Sequence, residues 1–282
     1  MEEVVIASAC RTAIGRFGGA LSPLSDIDFG PVPIQEAVKR AGIAADLVDE
    51  VIYASGYRTG DLPINSARVV AVRAGIPEDK PQFTISKACA GSLKAVTLAA
   101  QVIRSGDAHV IVAGGMESMS NAAYLLKKAR WGYRLGHGQL MDQLILFDPL
   151  SGNTMGETAE NVAEKYDVSR QDQDEFALRS QTLAQKAIAE GRFRDQIVPV
   201  QVPRKKVEPE PFDTDEHPRF GTTIEKLQQL SPAFKKGGSV TAGNSSGMND
   251  GACALVLMSR QKADELGILP MASILSHASV GV

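Results

Sequence analysis

A series of short, continuous apolar runs constrains this chain more than any other feature. They are VVIASA at 4–9, EVIYAS at 50–55, HVIVAGG at 109–115, ACALVLMS at 252–259 and ASILSHASV at 272–280. Unbroken runs of Val, Ile and Ala, rather than strict alternation, belong to strands covered on both faces. Amphipathic stretches separate them. IQEAVKRAGI at 34–43 and NSARVVAVRAGI at 65–76 both end beside Gly, which stops helices. From Leu93 the apolar positions Leu93, Val96, Ala100 and Ile103 step by three or four, one face of a helix ending near Gly106. Strands alternating with helices give an α/β fold.

The middle of the chain breaks this rhythm. From about 119 to 240 helices are expected, with no buried strand. Ser169 with Asp172 has the spacing of a capping box, opening the long helix that begins QDQDEFALRS. The following VPRKKVEPEPFDTDEHPRFG is rich in charge and Pro and reads as an irregular surface excursion. The expected organisation is a core built from 1–118 and 248–270, an insertion over 119–247, and a final segment 271–282 that starts another element.

Bulk properties narrow the function. At 282 residues the chain exceeds a typical domain of roughly 100–200 residues, and 44% hydrophobic content supports a sizeable core. A net charge of −3 with both signs interspersed gives no electrostatic basis for binding nucleic acid or an anionic membrane. The beginning MEEVVIASACRT does not resemble a secretory or mitochondrial leader. Three cysteines without a C-x-x-C pair argue against a disulfide framework and suit a reducing, cytoplasmic location.

Four segments can carry chemistry. In TISKACAGSLKAV, Cys89 lies between an expected strand end and a helix start, where backbone N–H groups and the helix dipole stabilise a thiolate. Ala90, Gly91 and Ser92 leave room there for a substrate. Free cysteines are also among the most buried residues, so the local pattern leaves Cys89 either a core residue or a nucleophile. Cys10 and Cys253 lie in or beside apolar strands and read as core. TAGNSSG at 241–247 can present N–H and hydroxyl groups to a ligand, or form an ordinary turn. In VAGGMESMS, Glu117 is either a buried acid or, as the pattern favours, an acid at a helix start. Met155 in NTMGETAENV either lines an apolar pocket or packs in a core. The histidines, His109, His137, His217 and His277, form no H-x-x-x-H zinc motif. A Walker A loop and a G-x-G-x-x-G dinucleotide turn are both missing from the sequence, and the lack of the second disfavours a dehydrogenase.

Together, ASACRTAIGRFGGALS, KACAGSLKAV, VAGGMESMSNAAY, MGETAENVAEKY and SVTAGNSSGMNDGACALVLMS resemble the thiolases in order and spacing, from residue 4 to 282. The resemblance is to the acetyl-CoA acetyltransferase group. It implies a layered α/β fold with an inserted helical loop domain at 119–247. It implies Cys89 as the nucleophile that takes an acyl group from a thioester, with coenzyme A as substrate and no permanently bound cofactor. Ala242 and Ser246 match pantetheine-contacting positions, Ala233 and Phe234 match CoA-lining positions, Arg219 matches one near the adenine nucleotide, and Met155 matches one beside the acyl group. Homodimers or homotetramers are implied.

Three departures bear on activity. Gly91-Ser92 stands where the family usually has Ser-Gly, and Thr154 stands where many acetoacetyl-CoA-forming members have His. The sequence ends at SHASVGV, near the first strand of the family's C-terminal half. That half carries the activating His, the second Cys and an Asn-Glu-Ala-Phe segment. It also packs against the helix after Cys89. The expectation is therefore an acyltransferase with impaired turnover as a 282-residue chain. The alternatives are a non-catalytic CoA-binding scaffold, or one subunit of a split enzyme whose partner chain supplies the other half.

Overall fold

The computed structural model describes residues 2–61, 63–204 and 207–281. They divide into two compact units, one of Met1–Asn121, Arg194–Glu216 and Asn249–Val282, the other of Ala122–Phe193 and His217–Met248.

The first unit is built on a mixed sheet. Its strands are β1 (Val4–Arg11), β2 (Glu50–Ala54), β3 (Gln82–Ile85) and β4 (Val110–Ser118), then β7 (Asn249–Ser259) and β8 (Ala272–Ser273). Between these lie β5 (Val200–Arg204) and β6 (Val207–Phe212), which form a separate antiparallel hairpin. The sheet order is β8-β1-β7-β4-β2-β3. Strand β2 runs parallel to β3 and β4, whereas β7 runs antiparallel to β1 and β4.

Both sheet faces are covered, as the unbroken apolar runs require. On one face α1 (Pro31–Arg40) and α2 (Ser66–Arg73) pack Ile34, Ala37, Val70 and Ala71 against Val51, Tyr53, Val112 and Val256. On the other, α3 (Gly91–Ser105) packs Ala95, Ala99, Ala100 and Ile103 against Ile52, Ile111, Ala113 and Leu257. Alternate residues of β4 thus serve opposite cores. Gly106 closes α3 in the left-handed conformation, φ 83°, with its N–H returned to Val102 and Ile103.

The expected apolar face of α3 is rotated. Ala100 and Ile103 are buried, but Leu93 is 69% exposed and Val96 only half-buried. Periodicity identifies an apolar stripe without fixing which edge meets the sheet. Here Ala95 and Ala99 lie against it, because small residues permit close approach.

Two further expectations are corrected. The run 272–280 is a strand only at Ala272–Ser273, paired with β1. The Pro-rich excursion holds the β5–β6 hairpin, and it carries Val200 and Val202 into the core of the first unit. Backbone hydrogen bonds from Arg11 N–H to Gln196 (2.9 Å) and from Val198 N–H to Arg11 (2.8 Å) tie this stretch to β1. Residues 194–216 therefore interrupt the expected 119–247 insertion.

The second unit is helical, with short two-stranded pairings. Its helices are α4 (Met155–Lys165), α5 (Arg170–Ala189) and α6 (Ile224–Gln228). Capping boxes start two of them, Thr154 with Glu157 for α4 and Ser169 with Asp172 for α5.

Candidate active site

Cys89 sits in the turn joining β3 to α3, immediately before the N-cap residue Ala90, and it is exposed. The turn is tight. The Ala90 N–H donates to Lys87 O at 3.1 Å and the Gly91 N–H to Ala88 O at 3.0 Å. Ala88 adopts φ 43°, a left-handed conformation that a residue with a Cβ occupies at a cost of order 1 kcal/mol. The chain thus strains one residue to display the next. Because the Ala90 and Gly91 N–H groups are already committed, a developing oxyanion would look to the remaining donors of the first helical turn.

The small residues around Cys89 serve the sheet more than a substrate. A Cβ on Gly91 would lie 2.8 Å from the Ala54 Cβ, and one on Gly115 would lie 3.0 Å from it. The start of α3 therefore rests on Ala54 and Gly115. The swapped Ser92 faces inward, and its hydroxyl hydrogen-bonds to Cys253. Gly114 is excluded from bearing a side chain by the Cys253 carbonyl and the Tyr53 ring. Backbone crowding explains the Gly-Gly pair.

The other two cysteines are packed away. Burial pushes the Cys10 thiol up to about 12, and it donates to Pro33 O at 3.2 Å. Burial likewise raises Cys253, against the lowering effect of its bonds to Ser92 and the Gly115 N–H.

Glu117 belongs to strand β4 rather than a helix start, which corrects the favoured expectation. Its carboxyl accepts the Gly56 N–H at 2.8 Å and the Tyr57 N–H at 3.1 Å, anchoring the turn after β2. Burial pushes it up to about 7. The two N–H bonds oppose that rise, and the nearby Asp26 and Asp250 add to it. Between pH 4.5 and 7 the folded chain retains a proton that the unfolded chain has released, so stability falls as pH rises through this window. The loss attributable to Glu117 is about 3 kcal/mol once pH exceeds 7. Urea midpoints of wild type and Glu117→Gln at pH 5 and pH 8 check this. The wild type should lose more stability than the variant between the two, and parallel behaviour would contradict the assignment.

The second unit gathers most of the remaining expected positions. Met155 begins α4, and the Phe234 ring lies against Gly156, leaving no space there for a Cβ. The Ala233 N–H donates to Val240 O at 2.9 Å, joining this segment to the 241–247 loop. Ala242 and Ser246 are exposed on that loop. Arg219 stands apart, held through its backbone by Gln181 and Gln185 of α5. Asp174 and Gln185 lie about 16 Å apart along the α5 axis, so the loop and Arg219 mark separated positions on one helix. Thr154 caps α4 by accepting the Glu157 N–H. This role was missed in the sequence, where the T-x-x-E spacing is its local signal.

The model of the family described as "Thiolase, N-terminal domain" matches residues 4–261. The chain belongs to the thiolase family. It is 52% identical to an acetyl-CoA acetyltransferase of Syntrophomonas wolfei, over 99% of this chain and 71% of that protein. It is 50% identical to an acetyl-CoA acetyltransferase of Pseudomonas aeruginosa, over 100% of this chain and 72% of that protein. The crystal structure of the Bacillus anthracis acetyl-CoA acetyltransferase superposes with a TM-score of 0.94 at 48% identity, covering 98% of this chain and 70% of that one. This thiolase sequence thus spans about seven-tenths of the length of these relatives. Among the described residues no helix is long and apolar enough to cross a membrane.

Proposed function

We propose that this thiolase chain transfers acyl groups between acyl-CoA and CoA or acetyl-CoA, with the Cys89 sulfur as covalent acyl acceptor. The observation that carries this is the display of an exposed thiol on a strained turn at the start of α3, in a chain whose other cysteines are shielded. A thiolate exchanges readily with a thioester, which gives an acyl-enzyme and free CoA. The supporting roles are Ala242 and Ser246 for the pantetheine arm, Ala233 and Phe234 for lining CoA, Met155 beside the acyl group and Arg219 near the nucleotide. CoA enters as a substrate, and no resident cofactor is needed for thioester exchange.

Multiple turnover needs a base that these residues do not place at the thiol. Among the described residues no side chain hydrogen-bonds to the Cys89 thiol. His109 precedes β4, at the end of the sheet opposite Cys89. His277 follows β8, and its buried Nδ1 has no hydrogen-bond partner. The 282-residue polypeptide should therefore show little steady-state acetoacetyl-CoA thiolysis. A polypeptide carrying the relatives' remaining residues should restore it. Thiolysis at the full rate of a relative by the polypeptide alone, shown intact by mass spectrometry, would contradict this.

A further inference from the structure

Two buried acids from successive helices converge on one loop of the second unit. Glu160 of α4 is 4% exposed and Asp174 of α5 is 0% exposed. Glu160 accepts the Ser239 N–H at 3.0 Å and the Val240 N–H at 2.8 Å. Burial opposes its ionisation, but these bonds outweigh burial and lower its pKa. Asp174 accepts Arg170 Nε at 2.7 Å and Asn244 Nδ2 at 3.0 Å. Arg170 continues through Nη2, which donates to the carbonyls of Leu227 (2.6 Å) and Leu230 (3.0 Å).

Asn244 distributes this anchorage through the loop. Its Nδ2 also donates to Ser239 O at 3.1 Å, and its Oδ1 accepts the Thr241 N–H at 2.7 Å. Thr241 Oγ1 accepts the N–H groups of Gly243 (3.1 Å) and Asn244 (3.3 Å), and Ser245 Oγ donates to Thr241 O at 2.6 Å. The inward polar groups of the loop are thus paired, while Ala242 and Ser246 stay exposed. A Gly- and Ser-containing loop left unanchored would have to be ordered by its ligand, at the expense of affinity.

We infer that the Asp174–Asn244 pair, backed by Arg170, is a positioning device that pre-forms the 241–246 loop for the pantetheine arm of CoA. Neither side chain touches the substrate. The inference rests on the proposed CoA-binding role of the loop. It adds residues from a different helix that act through the loop's conformation.

Calorimetric titration of the 282-residue chain with CoA tests it. Asn244→Asp sets two carboxylates against each other and should weaken CoA binding by about tenfold to a hundredfold. Cys89 alkylation should stay at the wild-type rate, because that thiol belongs to the other unit. The exchanged pair, Asp174→Asn with Asn244→Asp, restores the donor and acceptor between the two side chains but not the bond to Ser239 O, and should recover part of the affinity. A purely structural role would lower the melting temperature and leave CoA affinity unchanged. If Asn244→Asp does not fold, Asn244→Ala decides by the same measurement. Wild-type affinity in a folded Asn244 variant overturns the inference alone. Failure of the wild type to bind CoA overturns the proposed role of the loop and the inference with it.

Discussion

Iodoacetamide near neutral pH should label Cys89 well ahead of Cys10 in the native chain, and should label native Cys10 about a thousandfold more slowly than unfolded Cys10, because thiolate, not thiol, is the reacting species. Burial pushes Cys10 up to about 12 from an ordinary 9.0, and each unit removes about nine-tenths of its thiolate. Burial also keeps the reagent away from Cys10, which slows its labelling further. Cys253 is raised as well, and its sulfur lies beneath Ser92 at the base of α3. Cys89 has neither protection: it is exposed and precedes a helix N-terminus. The labelling order should collapse in urea, where all three thiols become equivalent. Native labelling of Cys10 or Cys253 at a rate equal to Cys89 would show that the turn at Ala88 does not single out its neighbour.

Much of the fold was legible because its strands are covered on both faces. VVIASA and HVIVAGG needed no alternation to declare themselves, and β4 serves both cores through successive residues. Ser169 announced α5 because a capping box is local, closed within four residues. The errors share a different cause. Glu117 looked like a helix-start acid, but pairing with β7 keeps the strand running to Ser118, and that partner lies more than a hundred residues away. The β5–β6 hairpin was hidden by Pro and charge. A two-stranded pairing buries only Val200 and Val202 on one face, so its apolar signal is short.

The candidate site divides in the same way. The place of Cys89 between strand and helix was legible, and of its two readings the core residue is overturned by the exposure of the thiol. Gly91 beside it was misjudged as room for a substrate, since its close contact with Ala54 on β2 appears only when the helix meets the sheet. Asp174 and Glu160 carry no sequence signal that sets them apart from other helix acids. Their partners at 239–244 are separated from them by some seventy residues or more, and no spacing rule reaches that far. The network had one local trace, the i, i+4 spacing of Arg170 and Asp174.

Replacing Cys89 should have the largest functional effect of any substitution here. In the proposed acyl-transfer step the Cys89 sulfur forms a bond to the acetyl carbon, the carbon–sulfur bond to CoA breaks, and CoA leaves as its thiol, taking up the proton that the Cys89 thiol gives up. Removing the nucleophile that forms the covalent intermediate should slow acylation of this chain by about a thousandfold or more. Acylation needs only the thiol and the thioester, so it can proceed slowly where a base is lacking. The decisive measurement is peptide-resolved mass spectrometry of the 282-residue chain after prolonged incubation with acetyl-CoA, compared with Cys89→Ala. The predicted result is one acetyl group per chain on the peptide containing Cys89, released CoA in equal amount, and neither in the variant. Acetylation that persists in Cys89→Ala, or a wild-type chain that leaves Cys89 unmodified, would contradict the assignment of Cys89 as the acyl acceptor.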